Sequence, residues 1–224
     1  MNLYTHYILA KRLEGLLQPD DPLEYAWGAV APDVRYIAGM PRKQTHLEIQ
    51  EIKNWLVHFP ALRSFVLGYS VHCLLDRIDV ARILETAFPY SVLRPLSRKK
   101  LSSQQAVMFV EFYYLLGKHP DGAISGGHNE ILEGLGVQPE QTFVYVEAIS
   151  EYLKQPSFEV GLAMGRRLGL LDDSRVQKYL NAALSIRRNS LALLPMLWSA
   201  GNAHFERIGA QLVRNELGRG LKEK

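Results

Sequence analysis

The chain has 224 residues, of which 47% are hydrophobic and 22% are charged. These fractions are typical of a globular protein with a substantial core, and they exclude a disordered or fibrous chain. The net charge of +3 is too small to predict a nucleic-acid binder, so nucleic acid stays an open class of partner. The only cysteine, Cys73, excludes an intrachain disulfide and a multi-cysteine zinc site.

The N-terminus lacks the pattern of a signal peptide, because His6, Lys11 and Arg12 interrupt its apolar residues. No apolar stretch approaches the roughly twenty residues that a membrane-spanning helix needs. We therefore expect a cytoplasmic protein without a transmembrane segment, and peripheral lipid contact stays open.

The first predicted helix covers about residues 3–17 and carries a stripe of residues at spacings of three and four. The stripe consists of His6, Leu9, Leu13 and Leu16. Two prolines, Pro19 and Pro22, separate it from a second helix that ends near Ala31. The next segment, 32–45, is predicted to be a loop with one short helical turn.

Thr45 and Glu48 match a capping box, which predicts that His46 lies in the first turn of the following helix. The most informative pattern predicts a helix over about 60–84, whose middle is apolar nearly all round. Such a helix is normally buried in the centre of a bundle. Gly68 lowers helix stability, which indicates either close backbone packing or a tolerated cost.

Helical periodicity continues through the second half of the chain. The predicted helices there cover about 102–117, 140–153, 158–170, 174–194 and 202–217. The glycine-rich stretch 118–128 is the best predicted loop, and the most plausible point at which a single domain over 1–224 would subdivide. No pattern predicts a strand. The fold class is therefore all-α, a multi-helix bundle around the helix at about 60–84.

Five polar residues occupy positions where a surface side chain is not expected. His72 and Asp76 are four apart on the predicted central helix, so both side chains project from one face. His6 lies on an apolar stripe and Asp33 follows an apolar helix end, so each needs a partner. His46 starts a helix after a polar loop. Together, imidazole and carboxylate groups are ligands for zinc or a similar cation.

An isolated His–Asp pair at this spacing is more often a hydrogen-bonded pair in the core than a metal site. Five such residues from four segments favour a divalent-metal site. Two alternatives stay open. One is a non-catalytic metal-binding helical protein or interaction module, and the other is a bundle that holds no metal.

Four short motifs follow one another in the first third of the chain. They are Thr5-His6, Gly28-Ala-Val-Ala-Pro-Asp33, His46 and Gly68-Tyr-Ser-Val-His72-Cys-Leu-Leu-Asp76. In this order they resemble the zinc-dependent phospholipase C family, which is related to the fungal single-strand-specific nucleases. The resemblance implies an all-helical bundle with a zinc cluster that hydrolyses phosphodiester or phosphomonoester bonds.

The resemblance also implies which residues hold the metal. Asp33, His46, His72 and Asp76 would bind one ion, and Asp76 would bridge to a second ion bound by His6. Nothing after Asp76 reproduces the family's third metal position, for which the only nearby candidates are His128 with Glu130 and His204 with Glu206. We therefore expect one or two Zn2+ ions, with Mn2+, Fe or Ni2+ as alternatives.

The reaction implied is hydrolysis of a phosphate-ester substrate by a metal-activated water. Asp33 is the best candidate for the general base. Arg35 is the nearest cation to Asp33, and would either stabilise a phosphate oxygen in the transition state or only pair with a neighbouring acid. The helices after residue 118 would shape the substrate cleft or form the surface of a homodimer.

Overall fold

A computed structural model describes residues 3–78, 122–174, 177 and 207–217. Within these ranges the chain forms helices, turns and irregular segments but no strand, which confirms the all-α prediction. None of the helices described there combines the length and apolar character needed to cross a membrane. The predicted helix over 102–117, and nearly all of the one over 174–194, lie outside the described residues.

The first helix, α1 (Leu3–Leu17), has the predicted bounds and buries His6 and Leu13. The prediction that Leu16 continues the buried stripe is wrong, because Leu16 is 37% exposed and Leu17 is buried instead. Leu13 and Leu17 are four residues apart, which is close to one helical turn of 3.6 residues, so both lie on the buried face of α1.

The second helix, α2 (Pro22–Gly28), begins at Asp21, whose carboxylate accepts hydrogen bonds from the first turn of the helix. The segment predicted as a loop, 32–45, is more helical than expected. It is made of a 3-10 helix (Ala31–Val34) and two single-turn helices, α3 (Arg35–Ala38) and α4 (Arg42–Thr45). Short helical turns of this kind carry too little periodic pattern to be predicted from sequence.

The helix α5 (Ile49–His58) is capped differently from the prediction. Glu48 and Glu51 form its capping box, so the proposed box of Thr45 and Glu48 is wrong. Thr45 is the last residue of α4, and His46 follows that helix instead of starting α5. The backbone N–H of His46 donates to the carbonyl of the residue four positions earlier, which closes the turn of α4 before α5 begins.

The helix α6 (Arg63–Leu75) is the predicted buried central helix, and it follows a 3-10 turn at Pro60–Leu62. Every residue from Ser64 to Leu75 is buried. The helix ends at Leu75, earlier than predicted, and residues 76–78 form a turn after it. The rest of the predicted helix lies outside the described residues.

The helices α2 and α6 touch through their backbones. A Cβ atom added to Gly68 would lie 2.0 Å from the carbonyl oxygen of Tyr25, and one added to Gly28 would lie 2.0 Å from that of Phe65. No other residue type fits at such a distance. Of the two meanings that the sequence left open for Gly68, close backbone packing is confirmed.

The second described part packs on this core. Residues 122–129 contain no helix, as predicted for the loop, and are followed by an unpredicted short helix, α7 (Glu130–Gly134). Three helices come next, all near the predicted positions: α8 (Pro139–Lys154), α9 (Phe158–Arg167) and, as far as the chain is described, α10 (207–216). The hydroxyl of Tyr145 in α8 donates to the carbonyl of Val30 at 2.9 Å, which fixes α8 beside the segment that carries Asp33.

Candidate metal centre

The structure brings all five predicted ligand residues together, and each lies at or near the end of a structural element. His6 lies in α1, Asp33 in the 3-10 helix that follows α2, and His72 in the last turn of α6. His46 directly follows α4, and Asp76 directly follows α6. Elements that are remote in sequence therefore converge on one buried point.

The glycine contact between α2 and α6 determines where His72 points. Gly68 and His72 are four apart and share one face of α6, so the face that touches α2 also carries the imidazole. The close approach places the carbonyl of Ala29, just after α2, 2.8 Å from Nδ1 of His72. A wider helix separation would remove this hydrogen bond.

The carboxylate of Asp76 lies at the centre of the group. Its Oδ1 is 3.1 Å from Nε2 of His6, and its Oδ2 is 3.0 Å from Nε2 of His46. Nε2 of His72 lies 3.7 Å from the same Oδ2. The Asp76 side chain is only 6% exposed, so these contacts form in a low-dielectric environment.

Asp33 completes the group from the other side. Its Oδ1 is 3.9 Å from Nε2 of His46, whose Nε2 is in turn 3.2 Å from Nε2 of His72. Among the described residues, two overlapping sets have ligand atoms within 4.8 Å of one another and could hold a metal ion. These sets are His6, His72 and Asp76, and Asp33, His46 and His72. Ligand atoms around a tetrahedral cation with bonds of about 2.1 Å stand about 3.4 Å apart, close to the separations found here.

The hydrogen bond to Ala29 fixes the tautomer of His72. A carbonyl oxygen only accepts, so neutral His72 carries its proton on Nδ1 and donates it to Ala29. The lone pair of Nε2 is then left facing His46 and Asp76. A metal-binding histidine is normally oriented by such a hydrogen bond from its second nitrogen.

Thr45 acts on the second histidine in the same way. Its Oγ1 lies 3.1 Å from Nδ1 of His46 and 3.5 Å from the carbonyl oxygen of Arg42. When the hydroxyl donates to Arg42, it accepts from Nδ1 of His46, and Nε2 of His46 also presents a lone pair. Two lone pairs 3.2 Å apart repel unless a cation lies between them. The opposite hydroxyl orientation would put a proton there and make a hydrogen-bonded histidine pair.

His6 provides an independent test of whether a cation fits. Its ring stacks on His72, with centroids 3.7 Å apart and planes 13° apart, and it is buried. Neither ring nitrogen makes a hydrogen bond with any described residue, although Nε2 is 3.1 Å from Asp76, because the direction of approach is unsuitable. A buried imidazole without a hydrogen bond is costly. A cation bound between His6 and Asp76 would remove that cost, so the donor set fits a metal.

Burial keeps His6 and His72 neutral, as metal ligands must be. It lowers the pKa of His6 to about 4 and that of His72 to about 3, with the neighbouring imidazole lowering each further. Burial by itself raises the pKa of Asp76, but the close contacts of its carboxylate oxygens with His46 and His6 outweigh it and hold this pKa below its usual range. Burial raises the pKa of Asp33, against the opposing attraction of His6 and His46.

Two arginines border the group, and sequence reasoning identified only one of them. Arg35 lies with its Nε 3.6 Å from Oδ1 of Asp33, its guanidinium over the ring of Tyr36, and its side chain 15% exposed. Arg42, which was missed, pairs with Oδ2 of Asp76 and has a side chain that is 52% exposed. Arg42 is four residues before His46, but this spacing brings two residues together only in a helix, and the segment was predicted to be a loop.

His128, a weak sequence candidate for a further metal position with Glu130, lies apart from this group. Its Nδ1 is 3.1 Å from the hydroxyl of Thr142, and it belongs to neither candidate ligand set among the described residues. The corresponding pair of His204 and Glu206 lies outside the described residues.

No protein-family model, no curated protein and no solved structure matches this chain.

Proposed function

We propose that this protein is a metal-dependent phosphoester hydrolase whose metal centre is built by His6, Asp33, His46, His72 and Asp76. The observation that carries the proposal is the convergence of buried nitrogen and oxygen atoms around Oδ2 of Asp76. Two imidazole Nε2 atoms lie 3.0 and 3.7 Å from this oxygen and 3.2 Å from each other. The resemblance of the ordered motifs to the zinc-dependent phospholipase C family supports the reaction class.

The donor set supports zinc as the native metal. Neutral imidazoles mixed with carboxylates suit a borderline cation, and Mn2+, Fe or Ni2+ are the alternatives. His72 belongs to both candidate ligand sets and directs one nitrogen at them, so it can serve only one ion at a time. One ion held by all three histidines, or two ions that share Asp76, are both consistent with this arrangement. When bound, a divalent cation makes water a nucleophile at neutral pH and withdraws charge from phosphate oxygens.

Asp33 has the position of the general base in this proposal. Its Oδ1 has the longest contact in the group, 3.9 Å to Nε2 of His46, which is beyond a direct hydrogen bond, so this oxygen can accept from a water molecule bound beside it. Burial raises the pKa of Asp33, which makes its carboxylate a better proton acceptor than an exposed one. Asp33 would take the proton from the attacking water and hold it at an oxygen.

Arg35 has the position of the electrostatic stabiliser. Its guanidinium is fixed by Tyr36 and Asp33, and its Nε is buried without a hydrogen-bond partner among the described residues. A donor held in this way costs no reorganisation when negative charge develops on a phosphoryl oxygen. The three histidines and Asp76 hold the metal and move no proton.

The test combines elemental analysis with an activity assay. The purified, untagged protein is compared with a His72→Ala, Asp76→Ala double variant and with a control variant, His128→Ala, whose histidine lies apart from the centre. We expect one or two equivalents of a transition metal in the parent and control only. Hydrolysis of a chromogenic phosphate ester should vanish with chelator and return with zinc.

Each contrary result removes a specific part of the proposal. Absence of metal from the parent after growth with added metal would overturn the whole proposal. Stoichiometric metal without hydrolysis of phosphate esters would overturn the enzyme and leave a metal-stabilised helical protein.

A further inference from the structure

Arg42 presents a solvent-exposed cation that contacts the candidate metal centre. Its guanidinium contacts Oδ2 of Asp76, the oxygen on which His46 and His72 converge, yet its side chain is 52% exposed. Arg35, in contrast, is largely buried beside Asp33. Of the two arginines at the site, only Arg42 is both attached to the ligand group and open to solvent.

A guanidinium has five N–H donors in a planar fork. Contact with one carboxylate oxygen uses part of this fork and leaves donors that face away from Asp76. Phosphate oxygens are the acceptors that such a fork binds best, often through two parallel hydrogen bonds. A phosphate that approaches the centre from solvent would therefore contact Arg42 beside Oδ2 of Asp76.

The charges of the site indicate which phosphate fits. The carboxylates of Asp33 and Asp76 are balanced by Arg35 and Arg42, and histidines that bind a metal do so as neutral imidazoles. One divalent cation then leaves an excess of two positive charges, and a second cation would increase it. A phosphate monoester carries about −1.5 to −2 charges at pH 7, whereas a diester carries one negative charge. The dianion neutralises the site more completely.

We propose that Arg42 binds the substrate phosphate beside the metal centre and thereby selects phosphate monoesters over diesters. This rests on the proposed hydrolase function and names its substrate class. In the reaction, the oxygen of water bonds to phosphorus and the phosphorus–oxygen bond to the alcohol breaks. A proton ends on the leaving alcohol, and inorganic phosphate is released. The product is therefore a direct probe of the site.

The first experiment measures binding instead of turnover. Metal-loaded parent, Arg42→Gln, Arg42→Lys and Arg166→Gln proteins are titrated with inorganic phosphate by calorimetry. Arg166 is the matched control, since its side chain is also 52% exposed and pairs with an exposed acid, Asp173. We expect Arg42→Gln to weaken phosphate binding at least tenfold, because it removes a charge-assisted contact. Arg42→Lys should recover part of the loss, and Arg166→Gln should leave binding unchanged.

The second experiment compares p-nitrophenyl phosphate with bis(p-nitrophenyl) phosphate. The parent should prefer the monoester, and Arg42→Gln should raise KM for the monoester about tenfold while kcat changes less. The ratio of monoester to diester efficiency should therefore fall. Metal affinity without phosphate should not fall, because Arg42→Gln removes a guanidinium that would compete with a metal for Oδ2 of Asp76.

The outcomes separate this inference from the function on which it rests. Hydrolysis by the parent, with equal phosphate binding by parent and Arg42→Gln, overturns the role of Arg42 alone. Phosphate binding that depends on Arg42, with hydrolysis of neither ester, overturns the hydrolase and leaves an anion-binding metal centre. Failure of the metal-treated parent to bind phosphate, or loss of metal in Arg42→Gln, overturns the inference as well.

Discussion

The two main described regions, 3–78 and 122–174, differ in how many polar side chains they bury. Most buried polar residues of the described chain lie in the first region, whereas Thr142 is the single one in the second. Those in the first region are Thr5, His6, Asp33, Thr45, Ser64, Ser70 and His72. In the second region the charged groups stay at the surface, where Arg167 pairs with Glu147 and Glu151.

This difference separates the candidate metal centre from the helices described after residue 122. Burying ionisable groups costs free energy unless they are paired or bind a ligand, so a buried cluster of them marks a candidate functional site. The second region instead follows the ordinary rule of an apolar interior and a charged surface. Both regions contain a threonine 3.1 Å from Nδ1 of a histidine, Thr45 with His46 and Thr142 with His128. The contacts are alike, but only the first histidine faces other ligands.

The largest effect is expected from a substitution that breaks the backbone contact between α2 and α6. In Gly68→Ala the new methyl group would lie 2.0 Å from a backbone oxygen of α2, so the helices must separate. We expect a loss of about 3 kcal/mol or more in the free energy of unfolding, measured by urea denaturation. Gly15→Ala is the matched control in an open helical position, and should gain about 0.5–1 kcal/mol. Equal effects of the two substitutions would contradict the close packing.

The next effect is the pH dependence of the chelator-treated protein. In the unfolded chain the histidines bind protons below their ordinary pKa of 6.5. In the folded protein the pKa of His6 is lowered to about 4 and that of His72 to about 3, so both stay unprotonated to a lower pH. Stability is therefore complete above pH 6.5 and is lost as the pH falls, by about 2 kcal/mol for each histidine at pH 5. The raised pKa of Asp33 acts in the opposite direction, because the folded state then holds that proton more tightly.

The measurement is urea denaturation at pH 7.5 and pH 5.0 for the parent and for His6→Gln. The variant should lose less stability between the two pH values than the parent does. An identical loss in both proteins would show that His6 is not held neutral by burial.

A smaller effect compares the two threonine–histidine contacts. Thr45→Val removes the hydroxyl that orients His46, and should lower metal affinity about 10- to 100-fold, as loss of a hydrogen bond to a metal ligand typically does. Thr142→Val removes the equivalent contact to His128, and should leave metal affinity unchanged. Competition with a chromogenic chelator measures both. A loss of affinity in both variants, or in neither, would contradict the distinction between the regions.

The smallest expected effect concerns the surface charges of the second region. Arg167→Gln removes ion pairs to Glu147 and Glu151, all of them well exposed to solvent. Such pairs contribute about 0–1 kcal/mol, and salt screens them. The free energy of unfolding should fall by less than about 1 kcal/mol at low salt, and the difference should shrink at 1 M salt. A larger loss that is insensitive to salt would mean that Arg167 stabilises the fold through contacts other than exposed ion pairs.

The sequence by itself determined the elements that have a strong period. The bounds of α1 and the burial of α6 follow from apolar spacing, and the helices α8 and α9 lie near their predicted positions. The helices α1, α6 and α8 each bury many residues, and burial of a face leaves a repeating pattern in the chain, whereas α9 buries only Gly165 among its described residues. The five polar residues were identifiable for the related reason that a polar residue in an apolar setting interrupts such a pattern.

Only the tertiary structure decided what those residues contact. The short helices α3 and α4 have too few residues to show a period, so the positions of His46 and Arg42 could not be predicted. The convergence of His6, His72 and Asp76 depends on distances between segments that are remote in the chain. Spacing along a sequence constrains neighbours within one element, whereas the separation of two helices is decided by the atoms that touch between them. Here those atoms belong to two glycines and to the backbone they expose.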